Sequence, residues 1–336
     1  MSTAPTPLKF LGPAWFTAVL GLSGLALAWR AAVPVLGELA GAIALVISAL
    51  AALVFGLLAL ASVLRWQRHP EAWAEDVRHP VRHPFMAALP IALLLVATTA
   101  TAAGWTGPVV LVTWAVGSLV QLSLTLWVLK RWWRGNQAGG LQWVGMTPAL
   151  FIPIVGNVLV PLAGVPLGQP EWAAAQGAIG ALFWPVVLAL LAVRIAHQGL
   201  WPERLLPATF IVIAPPAVIG LAALQLGTPS LVGWAFWGIA AFSFLWVLPL
   251  AQRIVQLPFG LPHWGLSFPM AAFTALTLRL MPATGVGGLL GVSLLAVTSL
   301  LLAALTLTTL RGLRNGGLLV PETLPLQTAS NPVNGP

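Results

Sequence analysis

The chain of 336 residues contains no cysteine. That excludes disulfides, thiolate metal sites and cysteine nucleophiles, and leaves the redox compartment open. Charge is scarce too: 7% of residues are charged and 59% hydrophobic. An ordinary soluble domain carries about 25% charged residues, so that class is excluded. The short alternating pattern of a membrane barrel is missing as well. So are a Walker A motif, an HExxH metalloprotease motif and an Asp-rich prenyl-diphosphate motif. The seven acids are Glu38, Glu71, Glu75, Asp76, Glu171, Glu203 and Glu322. All fall in connections, at the ends of apolar runs or in the tail, and none stands in the middle of a run. Proton-coupled transporters commonly place a carboxylate there as a relay, so this absence favours passive conduction. A membrane-embedded enzyme would need acids or histidines converging within the bilayer. The sequence therefore predicts no catalytic residue, no cofactor and no metal.

What the sequence does contain is apolar runs, ten of them, at roughly 10–29, 36–64, 85–103, 108–129, 147–165, 172–194, 205–225, 230–250, 265–281 and 286–310. A span needs ~20 mostly apolar residues, so the chain reads as an all-α polytopic membrane protein with ten transmembrane helices. The first run, "FLGPAWFTAVLGLSGLALAWR", is long enough to span and is followed at once by others, so it reads as a helix and not a cleaved signal. Residues 1–9 form a short N-terminal segment, 10–310 the transmembrane domain and 311–336 a tail. From Asn315 onward the tail lacks periodicity and is expected to be disordered.

Of the 15 Lys and Arg residues, 13 lie on the side of the N-terminus; only Arg30 and Arg279 lie opposite. The positive-inside rule then puts both termini in the cytoplasm, in a plasma or inner membrane. Because the basic residues sit in short connections, the net charge of +8 does not indicate nucleic acid. The outer connections are short, which pairs the runs as five helical hairpins.

Prolines are unevenly placed. Pro90, Pro153, Pro161, Pro215, Pro216 and Pro269 fall inside runs three, five, seven and nine, whereas only Pro185 is clearly interior to an even run. Proline kinks a helix and is tolerated in a span where neighbours or water re-satisfy the freed carbonyls. Small residues follow the same division, at helical spacing: Thr17, Gly21, Gly24 and Ala28; Pro153, Gly156, Asn157 and Gly164; Pro216, Gly220 and Ala223; Ala271, Ala272 and Ala275. Two readings stand for each stripe, tight helix packing or the lining of a passage. Taken together, the prolines and stripes favour an inner ring of odd helices around a central pore. The expected lining is Thr17, Gly21, Gly24, Gly156, Asn157, Gly220, Ala271, Ala272 and Ala275; for Asn157 the alternative is a polar contact between helices. Phe268, beside Pro269, is the one bulky residue on its stripe and would be the constriction. Arg30 and Arg279 would draw anions to the outer mouth, or else anchor at the interface. The loop "RHPEAWAEDVRHPVRHP" mixes imidazoles with carboxylates, but its arginines oppose a bound cation; a basic, lipid-facing loop is the preferred reading.

Four stretches carry a resemblance: "FTAVLGLSGLALAWR" from Phe16, "HPVRHPFMAALPIALLL" from His79, "TPALFIPIVGNVLVPLAG" from Thr147 and "WGLSFPMAAFTALTLRL" from Trp264. In that order and spacing the chain resembles the tellurite-resistance/dicarboxylate transporter family, which includes the plant guard-cell slow anion channels. The resemblance implies five quasi-symmetric hairpins, a pore formed by the odd helices, a homotrimer with one pore per subunit, and a phenylalanine, here Phe268, that occludes the pore. The plant channels carry long cytoplasmic tails for kinase control; with about a dozen residues ahead of helix one, gating of that kind is not expected here. The family also includes exporters of sulfite and carriers of malate. The leading expectation is a passive channel or facilitative carrier for small inorganic or organic anions, with a coupled exporter of sulfite or C4-dicarboxylates as the alternative.

Overall fold

The computed structural model describes residues 7–321, so Glu322 and most of the expected disordered tail lie outside the described residues. Among the described residues every regular element is helical. Eight helices are long and apolar enough to cross a membrane: α1 (Pro13–Ala31), α2 (Glu38–Arg68), α3 (His83–Ala102), α4 (Pro108–Trp132), α6 (Pro170–Gln198), α7 (Glu203–Gln225), α8 (Ser230–Val255) and α10 (Gly285–Arg314). Two shorter ones complete the series, α5 (Pro148–Gly164) and α9, which winds as a 3-10 helix over Leu261–Leu266 and as an α-helix over Ser267–Leu280. The protein is an integral membrane protein of the all-α polytopic class.

Burial divides the elements. The most apolar window of α7 is 94% buried and that of α1 72%, against 11% for α2 and 22% for α6. The even helices turn large apolar side chains outward, among them Leu53, Leu57, Leu119 and Leu182. Faces of that size are covered in a stable protein. Packing follows the same division. α1 packs against α3 and α9, α5 against α3 and α7, and α7 against α9. Each even helix rests on two odd ones: α2 on α1 and α3, α4 on α3 and α5, α6 on α5 and α7, α8 on α7 and α9, α10 on α9 and α1. The connection following α1 turns through Gly37 at φ +72° and that following α5 through Gly168 at φ +74°, a region open to glycine. Gly104, Gly227 and Gly285 do the same after α3, α7 and α9.

The odd helices share a winding that the sequence reading did not anticipate. Each begins as a 3-10 helix and continues as an α-helix: Pro13–Phe16 into Thr17–Ala31, His83–Ala87 into Ala88–Ala102, Glu203–Ile213 into Ala214–Gln225, and α9 as above. α5 makes the change twice. The prolines read as interior kinks fall in the first turn of an α stretch: Pro90, Pro153, Pro215, Pro216 and Pro269. There a missing N–H costs little, because first-turn donors have no partner within the α stretch. Pro185, by contrast, lies inside the continuous α6.

The loop that mixes imidazoles with carboxylates is folded. It forms a short helix, Pro70–Arg78, whose Asp76 is buried between Arg65 at 2.7 Å and Arg82 at 3.0 Å. Arg82 also binds Glu75 and thereby holds that carboxyl below its ordinary value of 4.5. Among the described residues no three His, Asp or Glu side chains gather in a way that would hold a metal.

Candidate functional site

Two cavities lie along the bundle; the odd helices line both, joined at the outer one by Pro34 and Pro166 of the connections that follow α1 and α5. The inner one, of about 70 Å³, takes Thr17 and Leu20 from α1, Ile91 from α3, and Phe151 to Leu159 in part from α5. α7 adds Ile211, Ala214, Pro215 and Val218; Trp264, Gly265, Phe268 and Pro269 come from the α9 side. The outer one, of about 430 Å³, takes Leu27 and Arg30 from α1, Thr98 and Thr101 from α3, and Leu162 from α5. Leu221 and Gln225 of α7, with Ala275, Leu278 and Arg279 of α9, complete it. Every odd helix therefore contributes first to the inner cavity and then, further along, to the outer one. From Leu20 to Leu27, or Ile91 to Thr98, the helix rises ~10 Å.

Between the cavities α1 and α9 come into close contact. A Cβ added to Gly24 would lie 3.0 Å from both the Phe268 ring and the Ala271 Cβ. One added to Gly21 would lie 2.4 Å from the Ser267 Oγ. From Ser267 to Leu278 every residue is buried except Phe268. Its ring rests on Gly24 on one side and borders the inner cavity on the other.

The two cavities differ in charge. No charged side chain lines the inner one. Its hydroxyl, on Thr17, donates to the Ala14 carbonyl within its own chain turn at 2.6 Å. The outer cavity holds two guanidinium groups and no carboxylate. Arg279 donates to the Gln225 Oε1 at 3.2 Å, and among the described residues neither arginine forms an ion pair. The outer hydroxyls of Thr98 and Thr101 are turned to carbonyls of their own helix. A cation-bearing recess thus stands over an apolar, uncharged one.

The sequence-predicted residues fall into three groups. Phe268, Pro269, Pro215, Thr17 and Gly156 border the inner cavity, and Arg30, Arg279 and Ala275 the outer. Gly21, Gly24, Ala271 and Ala272 lie in the packed zone between. Gly220 faces Leu276 and Phe236. Asn157 is fully buried and bonded to Thr125 and Gln176. Neither lines a cavity. Of the cavity residues not singled out beforehand, Trp264 and Gln225 matter most. Trp264, in the 3-10 turn just before Phe268, borders the same cavity and lies 3.2 Å from where a Cβ on Gly21 would stand, and Gln225 fixes Arg279. Gln225 was detectable as a lone amide at the outward end of a span, level with Arg279.

Comparison with known proteins identifies the family. The family described as SLAC1, voltage-dependent anion channel, matches residues 11–310. The uncharacterized transporters MJ0576 and MJ0762 of Methanocaldococcus jannaschii are 24% and 23% identical, each over 80% of this chain and 83% and 84% of their own lengths. The S-type anion channel SLAH2 of Arabidopsis thaliana is 26% identical over 62% of this chain and 40% of its own. This chain belongs to the SLAC1 family of channel and transport proteins, and so to the transporters and not the enzymes.

Proposed function

We propose that the protein is a passive conductor of small anions, whose path runs between the five odd helices and is closed by Phe268. The observation that carries the reading is the pair of cavities in line, with Phe268 at the junction and the two arginines at one end. In this reading the ten helices are five hairpins in quasi-fivefold order, odd helices inside and even helices facing lipid. The cyclic packing of odd on odd, and the seating of each even helix between two odd ones, support it. The side that carries the other 13 Lys and Arg residues faces the cytoplasm, in a plasma or inner membrane with both termini inside, and Arg30 and Arg279 face outward. The assembly is a homotrimer, one path per subunit, as the family resemblance implies.

Anions enter the outer cavity because Arg30 and Arg279 raise their local concentration. The neutral inner cavity then binds them weakly enough to let them go. While the Phe268 ring rests on Gly24, an anion would have to shed its hydration to pass, which is costly. Uptake of labelled chloride, nitrate, sulfite and malate into proteoliposomes, with and without a pH gradient, tests this. Uptake that follows each anion's own gradient and ignores the proton gradient is expected. Accumulation driven by the proton gradient would contradict passive conduction.

A further inference from the structure

α5 supplies more of the inner cavity wall than any other element, through Phe151, Ile152, Val155, Gly156, Val158 and Leu159. It is also broken in the middle of the bundle. An α-helix over Phe151–Val155 gives way to a 3-10 turn over Gly156–Leu159 before resuming at Val160–Gly164. Pro161 is the cause. Having no N–H, it cannot serve the Asn157 carbonyl four residues back. The N–H of Val160 takes that carbonyl instead, which is the tighter 3-10 pattern.

Side chains from α4 and α6 hold this break, although neither helix lines a cavity. The Gln121 Nε2 donates to the carbonyls of Ile152 at 3.2 Å and Pro153 at 3.0 Å. The Thr125 hydroxyl lies 2.6 Å from the Pro153 carbonyl and accepts from the Asn157 Nδ2 at 2.7 Å. The Asn157 Oδ1 accepts from the Gln176 Nε2 at 2.8 Å, and the Gln176 Oε1 accepts from the Ser118 hydroxyl at 2.5 Å. All five side chains are buried. Gln121 reaches the break only because residue 156 is glycine: a Cβ there would stand 2.7 Å from its Nε2.

We infer that Gln121, Thr125 and Gln176 are positioning residues for permeation. From outside the lining elements they fix the course of Gly156–Leu159, and with it the width of the inner cavity, without touching the anion. The inference rests on the conduction path proposed above. Ordinary packing between helices would need only side-chain contacts. Here Gln121 and Thr125 address main-chain carbonyls where α5 passes from α to 3-10 winding in mid-course, and Gln176 holds the Asn157 side chain within that turn. Removing a donor lets those carbonyls shift toward another partner, because buried polar groups do not stay unpaired. The wall moves with them.

The test compares Thr125→Val, which keeps the shape and loses the hydroxyl, with Thr125→Ser, which keeps the hydroxyl. Nitrate-over-chloride selectivity is read from competitive uptake with Phe268 present, and from reversal potentials in a Phe268→Ala background. A change of about twofold or more in the valine variant, with the serine variant like its parent, is expected because a moved wall alters selectivity. Ser118→Ala, further from the break, should shift the ratio less and in the same direction, and it decides the matter if Thr125→Val does not fold. Unchanged selectivity in both would overturn the inference and leave the network as packing alone. A Phe268→Ala channel without added current, together with a retained valine–serine difference in uptake, would sink the gate and spare the network.

Discussion

At the scale of single residues, Thr17, Gly156 and Ala275 border the cavities, whereas Gly21 and Gly24 do something other than line a passage. Gly21 and Gly24 let α1 and α9 approach until the Cβ of Ala271 and the ring of Phe268 lie where a side chain on α1 would be. The helical spacing of these residues was legible in the sequence, but two physical uses produce the same stripe, and only packing partners separate them. The cavity walls are built from larger apolar residues such as Leu20, Ile91 and Val218, which no spacing rule distinguishes from core. Gly21→Ala should therefore act as overpacking, since its Cβ would meet the buried Ser267 at 2.4 Å; a loss of about 1–3 kcal/mol is expected. Gly56 of α2 has open space around it, and Gly56→Ala should leave stability unchanged or raise it by up to ~1 kcal/mol through helix propensity. Thermal melts of both variants in the same detergent check the contrast. Equal losses would mean that close approach of α1 and α9 is not what the glycine serves.

At the scale of elements, the prolines were visible and their meaning was not. Pro90, Pro215 and Pro269 indicated which helices are irregular, yet a missing N–H is equally compatible with a kink and with a change of winding. What decides is the turn before each proline, which is 3-10 in all three, and no propensity marks such a turn. The Pro70–Arg78 helix was missed for a related reason. Its composition is polar, with three acids against one arginine, and the acid that anchors it, Asp76, looks like any loop residue until Arg65 and Arg82 are brought around it. Both Arg65 and Asp76 are nearly inaccessible, at 3% and 1%. Breaking a buried ion pair from one side typically costs about 3–5 kcal/mol. Asp76→Asn should show a loss of that order in a melt, while flux per folded molecule stays near that of the parent, because the pair lies outside both cavities. Lost flux in a protein of undiminished stability would instead tie this helix to the path.

At the scale of the whole molecule, the class and the order of elements were legible because composition and hydropathy leave few alternatives to a bundle of spans. The division between buried and lipid-facing helices was legible only in part: α2 is rich in alanine, as an inner helix would be, yet lies outside. The summed field is also a property of the whole. Arg30 and Arg279 come from opposite ends of the chain into one recess without an acid, and their effect on anions should be screened by salt, the Debye length shrinking from ~30 Å at 0.01 M to ~10 Å at 0.1 M. Replacing both by Gln should lower anion flux most at low ionic strength and little at high. Equal flux at low salt would assign them to the interface.

The central claim is that Phe268 closes a path that otherwise exists. The most direct measurement is anion current through purified Phe268→Ala in planar bilayers, taken beside a thermal melt of the same preparation. The account predicts a marked rise in conductance with stability largely retained, because one side of the ring borders a cavity and not a packed core. If Phe268 is a packing residue, truncation should cost about 3–5 kcal/mol on the soluble-core scale. Unchanged current together with that loss of stability would contradict the account.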